Sequence, residues 1–241
     1  VITSTTSPRI GRALATALAA LALWPWAVSI AGDVVDFEPR VRPCYACHGD
    51  QGRATPDGYY PRIAGKPAGY LFEQLLHFRD GRRVHDEMSY LVDRQRDDTL
   101  RRMAEHFAAL DLPHPPPAVL NTDATTLEHG ARLVREGDAA RELPACTACH
   151  GESMTGIEPA VPGLLGLPQD YLAAQFGAWR EGARRAREPD CMAQIARRLE
   201  PADISALSAW LASQPVPSHA RAQAGPVRQP PMRCGVLENA R

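Results

Sequence analysis

Lysine is almost missing from this 241-residue chain: Lys66 is the one lysine among 27 basic residues. With 28 acidic residues the formal charge is −1, which gives no electrostatic case for a nucleic-acid partner. The arginine bias, beside 22 prolines, reads as genome composition rather than as a binding surface. Aromatic residues are scarce at 6%, thin for two well-packed cores of about 100 residues each. Six cysteines are too few for a small disulfide scaffold, so their positions must say what they do. What is present, 44% hydrophobic and 23% charged residues, describes a globular protein of one large domain or two small ones. Disorder, a collagen-like repeat and a multi-span membrane protein are excluded by the same composition.

Arg9 and Arg12 precede an uncharged, mostly apolar stretch at 13–31 that ends on Ser29, Ile30 and Ala31. A charged start, an apolar middle and a small-residue exit predict a secretory signal peptide over 1–31, with an uncleaved membrane anchor as the alternative. Removing its two arginines takes the charge from −1 to −3. Either way the rest of the chain is expected outside the cytoplasm, in the periplasm, where disulfides persist.

Cys44-Tyr45-Ala46-Cys47-His48 and Cys146-Thr147-Ala148-Cys149-His150 are two copies of C-x-x-C-H, each followed by glycine. This pattern is a c-type haem attachment site. Two thiols three residues apart share one face of a helical turn and reach two vinyl groups of one porphyrin. The adjacent histidine then offers its imidazole to the iron. A split zinc site would leave both histidines unexplained, with the pairs about 100 residues apart. A thioredoxin-type pair needs a βαβ context, and no β-branched run precedes either copy. Disulfides inside C-x-x-C loops are tight and redox-labile. Two covalently attached c-type haems are therefore the expected cofactors.

A repeat supports two modules. PRIAGKPAGYLFEQLLHFRDG, starting at Pro61, recurs 101 positions later as PGLLGLPQDYLAAQFGAWREG, starting at Pro162. Leu71, Leu75 and Phe78 in one copy, and Leu172, Phe176 and Trp179 in the other, follow helical spacing before a glycine stop. Leu100, Met103 and Phe107 match Ile204, Leu207 and Leu211 at an offset of 104, which predicts a second helix in each module. At that offset Met88 falls on Met192, so these two are the expected sixth iron ligands, placed in irregular segments between the helices. His85 and Cys191 remain as alternative ligands. Met103 reads as core, Met154 is too near His150 to reach the other haem face, and Met232 lies in the tail. His77, His106, His114, His129 and His219 read as surface or packing residues.

These two CxxCHG motifs, the segments PRIAG and PGLLG, the YLxxQ pattern, the FRDG and WREG turns and a later methionine resemble the dihaem cytochrome c4 family. The resemblance covers almost all of 44–212. It implies an all-α fold of two tandem class I cytochrome c domains, a periplasmic location and electron transfer toward terminal oxidases. It also implies that Pro61 and Pro162 present carbonyls to the ring N–H groups of His48 and His150, which sets their tautomer and basicity. Three features depart from the family: a short lead-in before Cys44 in place of a full helix, a long charged entry at 94–98, and a proline-rich tail with an added Cys234.

Cys191 and Cys234 are left without haem work, and in an exported protein they are expected to form a disulfide that pins the tail beside Met192. The run Pro113, His114, Pro115, Pro116, Pro117 predicts a semi-rigid linker at 113–121 between domains at 32–112 and 122–213, with a low-complexity tail at 214–241. Arg82/Arg83 and Arg184/Arg185/Arg187 follow the repeated glycine turns. They read as a solvated face, with docking or haem-propionate pairing as alternatives. Irons held by His and Met have no open position for a substrate, which predicts an electron carrier and not an enzyme. The expected partners are a membrane oxidase and an upstream quinol or substrate dehydrogenase, with membrane-surface association as a further expectation. The alternatives are a cytochrome subunit of a multi-chain dehydrogenase and a dihaem enzyme with one labile or thiolate-ligated iron.

Overall fold

In the computed structural model of the protein, residues 37–238 are described apart from 219, 226 and 228, together with residues 1 and 3. The expected export segment at 1–31 lies outside the described residues apart from those two. Phe37–Arg241 form one compact unit, and its described residues are mostly helical.

The first repeat contributes α1 (Glu38–His48), α2 (Ala68–Arg79), α3 (Asp86–Val92) and α4 (Asp97–Ala109). Acidic residues open α1, α3 and α4 and histidine or arginine closes α1, α2 and α4, in the sense that favours the helix dipole. In α4, Leu100, Ala104 and Phe107 are buried at i, i+4 and i+7, while arginines and Glu105 occupy the other face. This stripe meets Val41 of α1, Leu71, Phe72, Leu76 and Phe78 of α2, and Val92 of α3 to make one hydrophobic cluster.

The second repeat supplies α5 (Ala124–Arg135), α6 (Thr147–His150), α7 (Gln169–Glu181), α8 (Cys191–Arg198) and α9 (Pro201–Ser213). A two-residue hairpin, β1 (Gly156–Ile157) and β2 (Val161–Pro162), pairs antiparallel with Gly156 opposite Pro162. Asp123 caps α5 by accepting the Thr126 N–H at 2.8 Å. Gly130 allows α5 to lie against the backbone of α9 at Ala206, where a Cβ would collide with the Ala206 carbonyl oxygen. Asp203 at the start of α9 accepts from the Glu200 N–H at 2.8 Å and from Arg141 at 2.6 Å. Leu133, Val134, Phe176, Ala196, Leu207 and Leu211 are among the residues of the second cluster.

Two expectations change here. Met88 and Met192 were expected in irregular segments, yet they sit inside α3 and α8. These helices are only seven and eight residues long, and end chemistry sets them: Asp86 and Glu87 open α3, and Asp190 caps α8 by accepting the Ala193 N–H at 3.0 Å. The segment after 213 carries more order than its composition implies. Gln223 bonds its backbone to Gly156 and Glu158, and Gly235–Glu238 form a short turn of helix, α10.

Candidate functional site

Both motif histidines end a helix, α1 at His48 and α6 at His150, and a glycine with positive φ then turns the chain, Gly49 at 74° and Gly151 at 83°. The two imidazoles are buried, and burial pushes both below the ordinary imidazole range. Each ring is therefore neutral. Its Nδ1–H donates to a proline carbonyl, His48 to Pro61 O at 2.8 Å and His150 to Pro162 O at 2.8 Å. A carbonyl only accepts, so the proton is on Nδ1 and Nε2 keeps a lone pair for a metal.

The four motif cysteines form no disulfide. Burial raises the thiols of Cys44 and Cys149 and pushes Cys146 up to about 12. Thiolates are thus disfavoured here, which argues against zinc and against thiol exchange, whereas an uncharged thioether suits the surroundings. Among the described residues no group of three or more His, Cys, Asp or Glu side chains converges on a metal position.

A cavity with about 980 Å³ of empty volume, partly open to solvent, lies at the second motif. Its wall brings together Cys146, Cys149 and His150, Met192 and Ile195 of α8, and Leu207 and Leu211 of α9. Two thiols, an imidazole lone pair and a thioether sulfur in an apolar wall fit a large flat cofactor tethered through sulfur. Met232, Val236 and Leu237 also line it, so the C-terminal segment is part of this site. The Cys191–Cys234 disulfide expected from the sequence does pin the tail beside Met192; that 232–237 would also wall the cavity was not expected. Cys191 and Cys234 are joined by a disulfide, and a cysteine so engaged offers no thiolate to iron. The Gly235 N–H donates to Pro189 O at 2.9 Å, which seats the segment on the loop before α8. In the first module Met88 is half-buried against its hydrophobic cluster, and Leu91, the register counterpart of Ile195, is 46% exposed.

The remaining histidines have other partners. His77 is buried with Nε2 3.5 Å from Glu73, His106 lies 3.6 Å from Glu38, and His129 is 2.7 Å from Asp203. His85 precedes α3 with its ring 3.1 Å from Glu87. Burial, with Arg62 and Lys66 nearby, holds His114 down at about 4. His219 lies outside the described residues.

The repeated arginines depart from the solvated face expected of them. Arg184 is buried and Arg83 half-buried, and their backbones pair antiparallel where the two repeats meet. Arg83 donates to Gln74 at 2.9 Å, Gln175 at 2.7 Å and Tyr171 at 3.1 Å. Arg184 mirrors this with Gln175 at 2.8 Å, Gln74 at 3.0 Å and Tyr70 at 3.3 Å. Burial raises the Tyr70 hydroxyl, but the two guanidiniums outweigh it and leave that group below its ordinary value. Arg82 and Arg185 stay exposed, and Arg187 pairs with Glu73 at 2.7 Å.

The cytochrome c family profile matches residues 128–215. A thiosulfate dehydrogenase electron acceptor of Thiomonas intermedia is 36% identical over 178 residues, which are 74% of this chain and 81% of that protein. A cytochrome c4 of Pseudomonas aeruginosa is 34% identical over 183 residues, 75% of this chain and 88% of that one. The crystal structure of reduced cytochrome c4 from Pseudomonas stutzeri superposes with a TM-score of 0.64 at 29% identity, covering 73% of this chain and 95% of that chain.

Proposed function

The chain belongs to the dihaem cytochrome c4 family, two tandem class I cytochrome c domains, and from that premise we propose that it carries single electrons between redox proteins in the periplasm. The observation that supports this most is one constellation built twice: C-x-x-C-H at a helix end, ring Nδ1–H on a proline carbonyl, and a methionine in a following short helix.

Cys44 with Cys47, and Cys146 with Cys149, hold one c-type haem each through thioethers. His48 and His150 offer Nε2 to iron, oriented by Pro61 and Pro162. Met88 and Met192 supply the sixth ligands. The iron porphyrins bring one-electron exchange. The side chains hold them in place, exclude water with apolar walls and leave no iron position for a substrate. Arg83 and Arg184, charged and without a carboxylate partner in any ion pair among the described residues, would neutralise haem propionates at the junction of the repeats. Among the described residues no helix is long and apolar enough to cross a membrane. A thiosulfate dehydrogenase is one donor class, since a 36% identical relative is named as the acceptor of such an enzyme. A terminal oxidase is the acceptor class that family membership supports.

Replacing each methionine tests the reading. Met88→Ala and Met192→Ala should each remove the Met-to-iron charge-transfer band from one haem and leave the other's intact. If either variant keeps both bands, that ligand assignment is wrong.

A further inference from the structure

We propose that Lys66, a residue of the first module, is a positioning charge for the second haem site, raising the reduction potential there and not at the first site. The proposal rests on the His/Met reading above. Lys66 is the chain's one lysine, and it is buried at 8% exposure. Its Nζ donates to the carbonyl of Gly163 at 2.6 Å. Gly163 follows Pro162, whose carbonyl takes the His150 ring proton at 2.8 Å. A formal positive charge is thereby lodged one peptide from the group that orients the second module's iron-binding imidazole.

The fold alone does not ask for this charge. The register counterpart of Lys66 in the second repeat is Leu167, a buried core residue. No ion pair to a carboxylate accompanies Lys66 among the described residues; the Arg62 charge disfavours its protonation, and the neutral ring of His114 shares a small cavity beside it. That cavity, about 20 Å³, has room for about one water and for no counter-charge. An unpaired buried charge is expensive and survives only with a compensating role. Positive charge in a low-dielectric interior favours the less positive, reduced state of a nearby iron. Arg83 and Arg184 donate to glutamines of both repeats at their junction, and neither bonds to Gly163. Lys66 faces a neutral leucine at its symmetry position. Its effect is one-sided and favours electron passage from the first module to the second.

Redox titration of the full-length dihaem protein with Lys66→Met and Lys66→Gln reads both sites at once. In each variant the oxidised-to-reduced ratio of the Met192-ligated haem at a fixed potential should rise on the order of tenfold, about 59 mV for one electron. The Met88-ligated haem should keep its wild-type value, the two being told apart by their methionine methyl resonances. Lys66→Gln keeps an N–H donor for Gly163, so a shift in the methionine variant alone assigns the effect to the hydrogen bond and overturns the charge. Equal shifts at both haems, or none, also overturn it. If Lys66→Met loses its second haem, Lys66→Gln alone decides. A wild-type protein without two low-spin one-electron steps would overturn the His/Met reading instead.

Discussion

Replacing Cys191 and Cys234 together by serine opens a covalent loop with a sequence separation of 43 that encloses α8, α9 and the C-terminal segment. In the chain-entropy account, closing a loop of that size restricts the unfolded chain by about 4 kcal/mol at 25 °C. That figure is a ceiling. Without the disulfide the segment can leave the surface while the helices stay folded, and the loss is then only its docking energy. Docking is substantial: Cys234 and Gly235 are buried, Gly235 bonds to Pro189, and its Cα lies so close to the Arg187 and Glu188 carbonyls that a Cβ would collide with them. Met232, Val236 and Leu237 add apolar area against the haem cavity, about 1.5–3 kcal/mol for each side chain fully buried. We therefore expect a loss of about 2–4 kcal/mol confined to the second module. Guanidinium unfolding of the holoprotein, followed separately at the two haems, measures it. The second transition should move to lower denaturant while the first stays in place. An unmoved second transition, or an equal loss in both, would refute the assignment of this strap to the second site.

Gly130→Ala places a Cβ against the Ala206 carbonyl and should force α5 away from α9, with a cost of about 1–3 kcal/mol that thermal unfolding of the second module detects. Arg184→Ala removes the donors to Tyr70 and one of the two donors on each of Gln74 and Gln175, leaving both glutamines to Arg83. It should loosen the junction by about 1–3 kcal/mol, seen as faster proteolysis within 113–121. The pH dependence of stability should carry the mark of Lys66, whose burial, with Arg62 beside it, lowers its value from 10.5 to about 8. Between those two values the unfolded chain binds the extra proton, so stability rises with pH across that window, by on the order of 3 kcal/mol in total. Lys66→Met should therefore be more stable than the wild type near neutral pH, with the gap closing as pH rises from about 8 to 10.5. A constant gap would contradict the burial of an ammonium.

The parts of the site legible in the sequence were those written locally or twice. C-x-x-C-H packs its chemistry into five residues, and the repeat at offset 101 locates both prolines that orient the histidines. The register at offset 104 points to Met88 and Met192 but not to their helices, because seven or eight residues hold too few turns to show a period. Capping by Asp190 was the available clue. The burial of Arg83 and Arg184 was hidden for another reason. Their acceptors lie on both repeats, and one-dimensional similarity does not say that two like modules meet through the same face. The cavity wall at 232–237 was masked by a proline-rich composition. Lys66 was visible from the first count, yet a lone lysine beside 26 arginines looked like base composition until its ammonium was found across the junction.

The proposed function requires that this chain hold two haems, each closed by one histidine and one methionine. Quantitative spectroscopy of the oxidised full-length protein, expressed per chain, addresses it most directly. Two low-spin haems, both with a Met-to-iron charge-transfer band and neither binding added cyanide rapidly, are the predicted result. One haem per chain, or a high-spin fraction that binds cyanide at once, would contradict it.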